Sequence, residues 1–181
     1  MKIYIETERL ILREIVPDDC DGMFELDSNP IVHKYLGNKP VKTIADAMSA
    51  INYIRNQYVN QGIGRWALIE KSTNAFMGWS GLKLNFEKPI NNHINYYDIG
   101  YRLIPKYWGK GYATESAIVT MDFGFNTMHL ETIVGLADVN NEASNTILKK
   151  IGLKYIEDFT FEDQEVSWYE LKNKDYGKDM S

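Results

Sequence analysis

Cysteine is nearly missing from this chain: Cys20 is the one thiol among 181 residues. That excludes an internal disulfide and a multi-cysteine metal site. Histidine is scarce too. His33, His93 and His129 lack the close spacing of metal ligands, so they are expected in loops or on the surface, and no metal is expected. Nowhere do about eighteen apolar residues run together, which excludes a membrane-spanning helix. Basic residues are in deficit, with 20 Lys and Arg against 25 Asp and Glu for a net charge of −5. This balance argues against nucleic-acid partners, which need a basic face. An anionic small ligand can still be held locally by backbone N–H groups, and an acidic surface suits a cationic partner such as an amine. The opening "MKIYIETERLILREI" alternates polar and apolar residues and lacks the continuous apolar segment of a secretion signal. Together these features point to the cytoplasm.

No repeat, low-complexity block or Gly/Ser/Pro-rich linker interrupts the chain, so residues 1–181 read as a single domain. Its 44% hydrophobic and 25% charged fractions are those of an ordinary globular protein. Periodicity predicts a strand within "TERLILREI", surest over 10–14, then a helix from Pro17 to about residue 26 and a short one over 31–35. Thr43 and Asp46 resemble a capping box opening a helix that runs to about residue 61. Strands follow over 65–70, 76–85 and 96–104, the last stopped by Pro105, with "NFEKPINNH" as a loop. A helix over 112–125, a strand in "ETIVGLADV", a helix over 141–151 ended by Gly152, and strands over 153–160 and 166–171 complete the order. The consecutive middle strands predict antiparallel pairing. The two later strand–helix–strand units predict parallel pairing, and so a mixed sheet.

The segment "PKYWGKGYATES", residues 105–116, joins a predicted strand to a predicted helix through Gly109 and Gly111. Glycine lets a backbone approach a ligand, and the free N–H groups and dipole of a helix start favour an anion. A tight connection needing only φ > 0 would use the same two glycines. Two nucleotide motifs are excluded. A P-loop needs a Gly-Lys-Ser/Thr that is not there, and the dinucleotide fingerprint wants Gly or Ala where Thr114 stands.

"IGYRLIPKYWGKGYATESA", followed by "ADVNNEASNTILKKIGLKY", resembles the GNAT N-acetyltransferase superfamily, and within it the branch of ribosomal-protein N-terminal acetyltransferases. The opening "TERLILREIVPDD" and the late "VSWYEL" fit as well, so the likeness covers nearly the whole chain. The resemblance implies an α/β fold: one GNAT-like domain with a mixed, splayed central sheet of about six to seven strands flanked by helices. It implies acetyl-CoA as co-substrate and an amine as acceptor, either a protein N-terminus, such as that of a ribosomal protein, or a small amine. Direct attack in a ternary complex is expected, since Cys20 lies far in sequence from these motifs. A homodimer is a further family habit.

By the same resemblance, Leu103 and Ile104 offer backbone groups to the pantetheine arm. Lys106, Trp108, Gly109, Lys110, Gly111, Tyr112 and Ala113 wrap the pyrophosphate, with Thr114 in the first helical turn. Lys106 replaces the family's Gln or Arg, which keeps a cation but loses a planar donor. Asn140 matches the asparagine that holds the arm, and Asn145 is close enough in sequence to reach it. Both are equally good helix-capping residues. The family tyrosine that assists thiolate departure is replaced by Leu148, and Ser144 of "N-x-x-S" is the expected substitute. Asp98 stands where many members carry a glutamate base, or else it pairs with Arg102 or a neighbour. Trp79 and Tyr101 are expected to line the acceptor pocket. A cofactor-binding sensor or partner subunit without turnover is the alternative, because the tyrosine, the Gln/Arg and the glutamate are all replaced.

Overall fold

Alternating apolar residues fold into eight strands of one sheet in the computed structural model, which describes residues 1–177. The strands are β1 (Ile3–Glu6), β2 (Leu10–Glu14), β3 (Trp66–Glu70), β4 (Ala75–Asn85), β5 (Tyr96–Leu103), β6 (Thr132–Asp138), β7 (Lys154–Phe161) and β8 (Gln164–Lys172). Their spatial order is β1-β2-β3-β4-β5-β6-β8-β7. Every neighbouring pair is antiparallel except β5 and β6, so the sheet is mixed as expected. It has one strand more than expected at the amino end, where β1 folds back on β2 as a hairpin. One pairing also differs. β7 follows β6 through a helix but does not touch it, because β8 lies between the two.

Among the described residues four α-helices cover the sheet: α1 (Cys20–Asp27), α2 (Ile44–Gln61), α3 (Tyr112–Asp122) and α4 (Glu142–Lys150). Pro17–Asp19 forms a 3₁₀ turn ahead of α1, so Pro17 starts a tighter coil than the predicted α-helix. The capping box of α2 is present: Asp46 N–H donates to Thr43 Oγ1 at 3.2 Å and Thr43 N–H donates to Asp46 Oδ2 at 2.9 Å. Gly62, at φ 72°, ends that helix in the left-handed region. Helix α3 stops at Asp122 and widens into a π-turn over Phe123–Thr127.

Strand β3 divides the core by its period of two. Trp66 and Leu68 pack with Ala117, Met121 and Phe125 beneath α3 and α4. Ala67 and Ile69 pack with Met23, Leu26, Ala47 and Ile51 beneath α1 and α2. Trp66 is fully buried, stacked on Tyr4 at 4.9 Å and met edge-on by Phe123 at 5.1 Å. Burying such a ring removes on the order of 200 Å² from water, and it ties the β1–β2 hairpin to α3.

The feature that positions the site lies at the centre. Strands β5 and β6 pair only from Tyr97↔Ile133 to Ile99↔Gly135. Beyond those residues β5 runs on to Leu103 paired with β4 alone, and β6 runs on to Asp138 paired with β8 alone. The sheet therefore splays, with the starts of α3 and α4 at the opening. No helix among the described residues is long and apolar enough to cross a membrane.

Candidate active site

Pro105 stops β5 because it cannot donate to the strand pairing, and a 3₁₀ turn over Pro105–Tyr107 carries the chain toward α3. Gly109 and Gly111 follow with φ of 71° and 81°, a region where a side chain is strained. Gly111 is the N-cap of α3, and Glu115 N–H is the first amide to bond back, to Gly111 O at 3.0 Å. The amides before it in the first turn therefore have no partner within the helix. Among the described residues, the N–H groups of Gly109, Lys110 and Gly111 also meet no protein acceptor. A row of free donors at the positive end of a helix is the arrangement a phosphate needs.

This turn opens onto a cleft of about 1470 Å³ that enters the splay. Asp98, Leu103, Trp108, Gly109, Gly111, Tyr112, Ala113, Thr114 and Ser144 all line it, so the structure brings most of the expected residues together. Ile104, Lys106, Lys110, Asn140 and Asn145 do not line it. Ile104 N–H donates to Met77 O at 2.9 Å, on the β4 side of the strand. By alternation the N–H of Leu103 faces the splay, while Leu103 O accepts from Trp108 Nε1 at 2.7 Å. The Lys106 ammonium is turned outward onto Glu25 at 3.0 Å. Asn145 is buried and fully engaged: its Nδ2 donates to Asp138 O and Asn141 O, both at 2.9 Å, and its Oδ1 accepts from Tyr169 O–H at 2.6 Å. It pins α4 to β6 and β8 and borders a smaller polar hollow on the far side. The backbone N–H of Asn140 donates to Asp138 Oδ1 at 2.8 Å, and the true cap of α4 is Asn141, whose Oδ1 accepts from Ser144 N–H at 3.1 Å.

That cap aims the first turn of α4 across the splay at β5. Ser144 Oγ lies 3.3 Å from the Tyr101 hydroxyl, which also donates to Ser144 O at 3.2 Å. Burial pushes the Tyr101 phenol up to about 12, with its bond to Ser144 pulling the other way. It stays protonated at any physiological pH and is available as a donor. Sequence reasoning placed Tyr101 only in the acceptor pocket. The signal for its pairing with Ser144 lay in two motifs read separately.

On the far wall, Asp98 is not paired with Arg102. Its Oδ2 accepts from Arg65 Nη2 at 2.5 Å and its Oδ1 from Asn85 Nδ2 at 2.7 Å. Arg65 also donates to Asp98 O at 2.8 Å and to Gly81 O at 2.6 Å. Two guanidinium groups lie over the Trp79 ring, Arg65 at 5.4 Å and Arg102 at 5.0 Å from its centre. Arg102 pairs with Asp27 at 2.7 Å. Beside that pair His33, expected at the surface, is buried; neither ring nitrogen has a hydrogen-bond partner, and Nε2 stands 4.0 Å from the Asp27 carboxylate. Its pKa is lowered first by burial and then by Arg102, with Asp27 pulling the other way. Nothing in the sequence pointed to Arg65 or Asp27, since their partners lie 33 and 75 residues away. Among the described residues no group of three or more His, Cys, Asp or Glu is placed to hold a metal ion.

The sequence matches the family model "Acetyltransferase (GNAT) domain" over residues 9–154. It is 32% identical to "Uncharacterized N-acetyltransferase YoaA" of Bacillus subtilis, over 83% of this chain and 82% of that one. The fold is shared with a RimL ribosomal L7/L12 alpha-N-protein acetyltransferase solved with coenzyme A, at 18% identity and TM-score 0.78, covering 94% of this chain and 98% of that one. It is also shared with a Vibrio cholerae spermidine N-acetyltransferase solved with CoA and spermine, at 15% identity and TM-score 0.73, covering 93% and 98%. The chain belongs to the GNAT acetyltransferase family.

Proposed function

We propose that this protein transfers an acetyl group from acetyl-CoA to a primary amine by direct attack in a ternary complex. The observation that carries the reading is the pair of unpartnered amides at Gly109 and Gly111, on the lining of a cleft that enters the sheet where β5 and β6 part. The residues fit the cofactor. The turn and the first turn of α3 would take the pyrophosphate. The free edge of β5 at Leu103 would pair with the amide-bearing arm as a neighbouring strand would. The coenzyme supplies an activated thioester carbonyl and a sulfur leaving group.

The chain's own groups divide the remaining work. Tyr101 and Ser144 stand together where the arm would end, and they would hydrogen-bond the departing sulfur. A phenol near 12 is a weaker acid than an ordinary thiol, so Tyr101 would serve mainly to stabilise developing negative charge. An amine arrives protonated and must lose a proton before attack. Asp98 is the proton acceptor in this reading. Both its oxygens already accept one hydrogen bond, but each keeps a second lone pair, so the proton would pass through a water. Trp79, in contact with Arg65 and Arg102, would form the acceptor wall. The acceptor itself is a protein N-terminus or a small amine, the two kinds named for the structurally similar proteins above.

The test is release of CoA thiol from acetyl-CoA across a panel of amines that includes polyamines, amino acids and short peptides. Turnover with any member upholds transferase function. Saturable acetyl-CoA binding with no release across the whole panel would instead make this a cofactor-binding sensor.

A further inference from the structure

The loop between β1 and β2, at the start of "TERLILREIVPDD", carries no residue expected at the site, yet it grips the glycine turn. Arg9 Nη1 donates to Lys110 O at 3.1 Å. Its Nε donates to Glu115 Oε2 at 2.7 Å, and Nη2 lies 2.5 Å from the same oxygen. The guanidinium carbon sits over the Tyr112 ring, 4.4 Å from its centre. Thr7 completes the clasp by donating its hydroxyl to Glu115 Oε1 at 2.6 Å. Glu115 is held below its ordinary pKa: burial would raise it, but the bonds from Thr7 and Arg9 and the charge of Arg9 outweigh that.

The consequence runs through one peptide plane. Lys110 C=O and Gly111 N–H belong to the same trans peptide, so they point in opposite directions. Arg9 binds the carbonyl from outside the cleft, which Gly111 lines while Arg9 and Lys110 do not. Gly111 alone would leave that peptide free to rotate, since glycine tolerates either sign of φ. A cation on the carbonyl also polarises the amide at the other end and makes it a stronger donor. We infer that Arg9, fixed by Glu115 and Thr7, is a positioning residue that orients and polarises the Gly111 N–H toward the cofactor pyrophosphate without touching the cofactor. This rests on the reading of the turn as the pyrophosphate site.

The experiment compares CoA with pantetheine, which lacks the pyrophosphate, by titration calorimetry, and acetyl-CoA with S-acetylpantetheine in turnover, on wild type, Arg9→Ala and Arg9→Lys. Wild type is expected to prefer CoA. No preference would sink the pyrophosphate reading, and this inference with it. Both variants are expected to bind CoA about ten-fold more weakly, with KM for acetyl-CoA raised by the same factor. Saturated kcat and the response to pantetheine donors should be unchanged. Lysine keeps the charge but cannot hold Lys110 O and Glu115 together. If Arg9→Lys binds like wild type while Arg9→Ala is weakened, Arg9 acts by long-range charge and the inference fails. It fails equally if both variants keep wild-type CoA affinity, or lose affinity for CoA and pantetheine alike.

Discussion

Single side chains divide the chemistry in ways that separate measurements can read. Tyr101→Phe removes the donor beside Ser144 and should lower kcat by about ten-fold or more, while acetyl-CoA affinity stays near wild type. An unchanged kcat would return Tyr101 to a packing role. Asp98→Asn leaves Arg65 without its charged partner, so some loss of stability is expected whatever the chemistry. The discriminating readout is the pH–rate profile: as the proton acceptor, its loss moves the working range toward higher pH, where amines are already deprotonated. An identical profile on a weaker fold would make Asp98 structural. His33 yields a prediction of a different kind. Its folded pKa lies below its unfolded value of 6.5, so the unfolded chain binds the extra proton first. Stability is full above about pH 6.5 and falls as pH drops below it. In His33→Gln, thermal midpoints between pH 5 and 7 should depend less on pH than in wild type. That Ser144, Asp98 and the glycines share one cleft was legible because a motif names residues close together in the chain. Arg65, Asp27 and Arg9 were not, because an ion pair across 33, 75 or 106 residues leaves no local signal.

Among the elements, the turn into α3 is the most exposed to test. At Gly111 a side chain meets φ 81°, which is disfavoured by about 1–2 kcal/mol and by more for a β-branched residue. Its Cβ would also sit 3.6 Å from the Arg9 guanidinium. Gly111→Val should weaken acetyl-CoA binding by at least about ten-fold. A wild-type affinity in calorimetry would mean the amides there hold nothing. The helices were readable from caps and periodicity, and α2 runs from its predicted capping box to its predicted end at Gln61. The first hairpin was not, because the turn at "TER" carries none of the Gly, Pro or Asn signals that mark a reversal. The point where β5 and β6 part was equally silent. Both strands keep their alternation past it, and alternation records burial on the two faces, not which edge groups are paired.

For the molecule as a whole, the expected consequence of cofactor binding is a shift in thermal unfolding. A ligand bound only by the folded state adds roughly 2.7 kcal/mol at 100 times its Kd, or roughly 5–10 °C in midpoint at this size. Acetyl-CoA should produce that rise and NADH should not. Failure of acetyl-CoA to move the midpoint would reduce the glycine turn to a device for turning the chain. The strand order has another consequence, on a different timescale. Strand β8 separates β6 from β7 but is made after both of them. Until β8 docks, β6 has only its three-residue contact with β5, and β7 has no neighbour at all. Trp168, Tyr169 and Leu171, all buried in the finished fold, are not yet in place. A folding intermediate at that stage carries two strands with open edges. The interval before residues 164–172 insert is thus the one in which this protein most needs shielding from its neighbours.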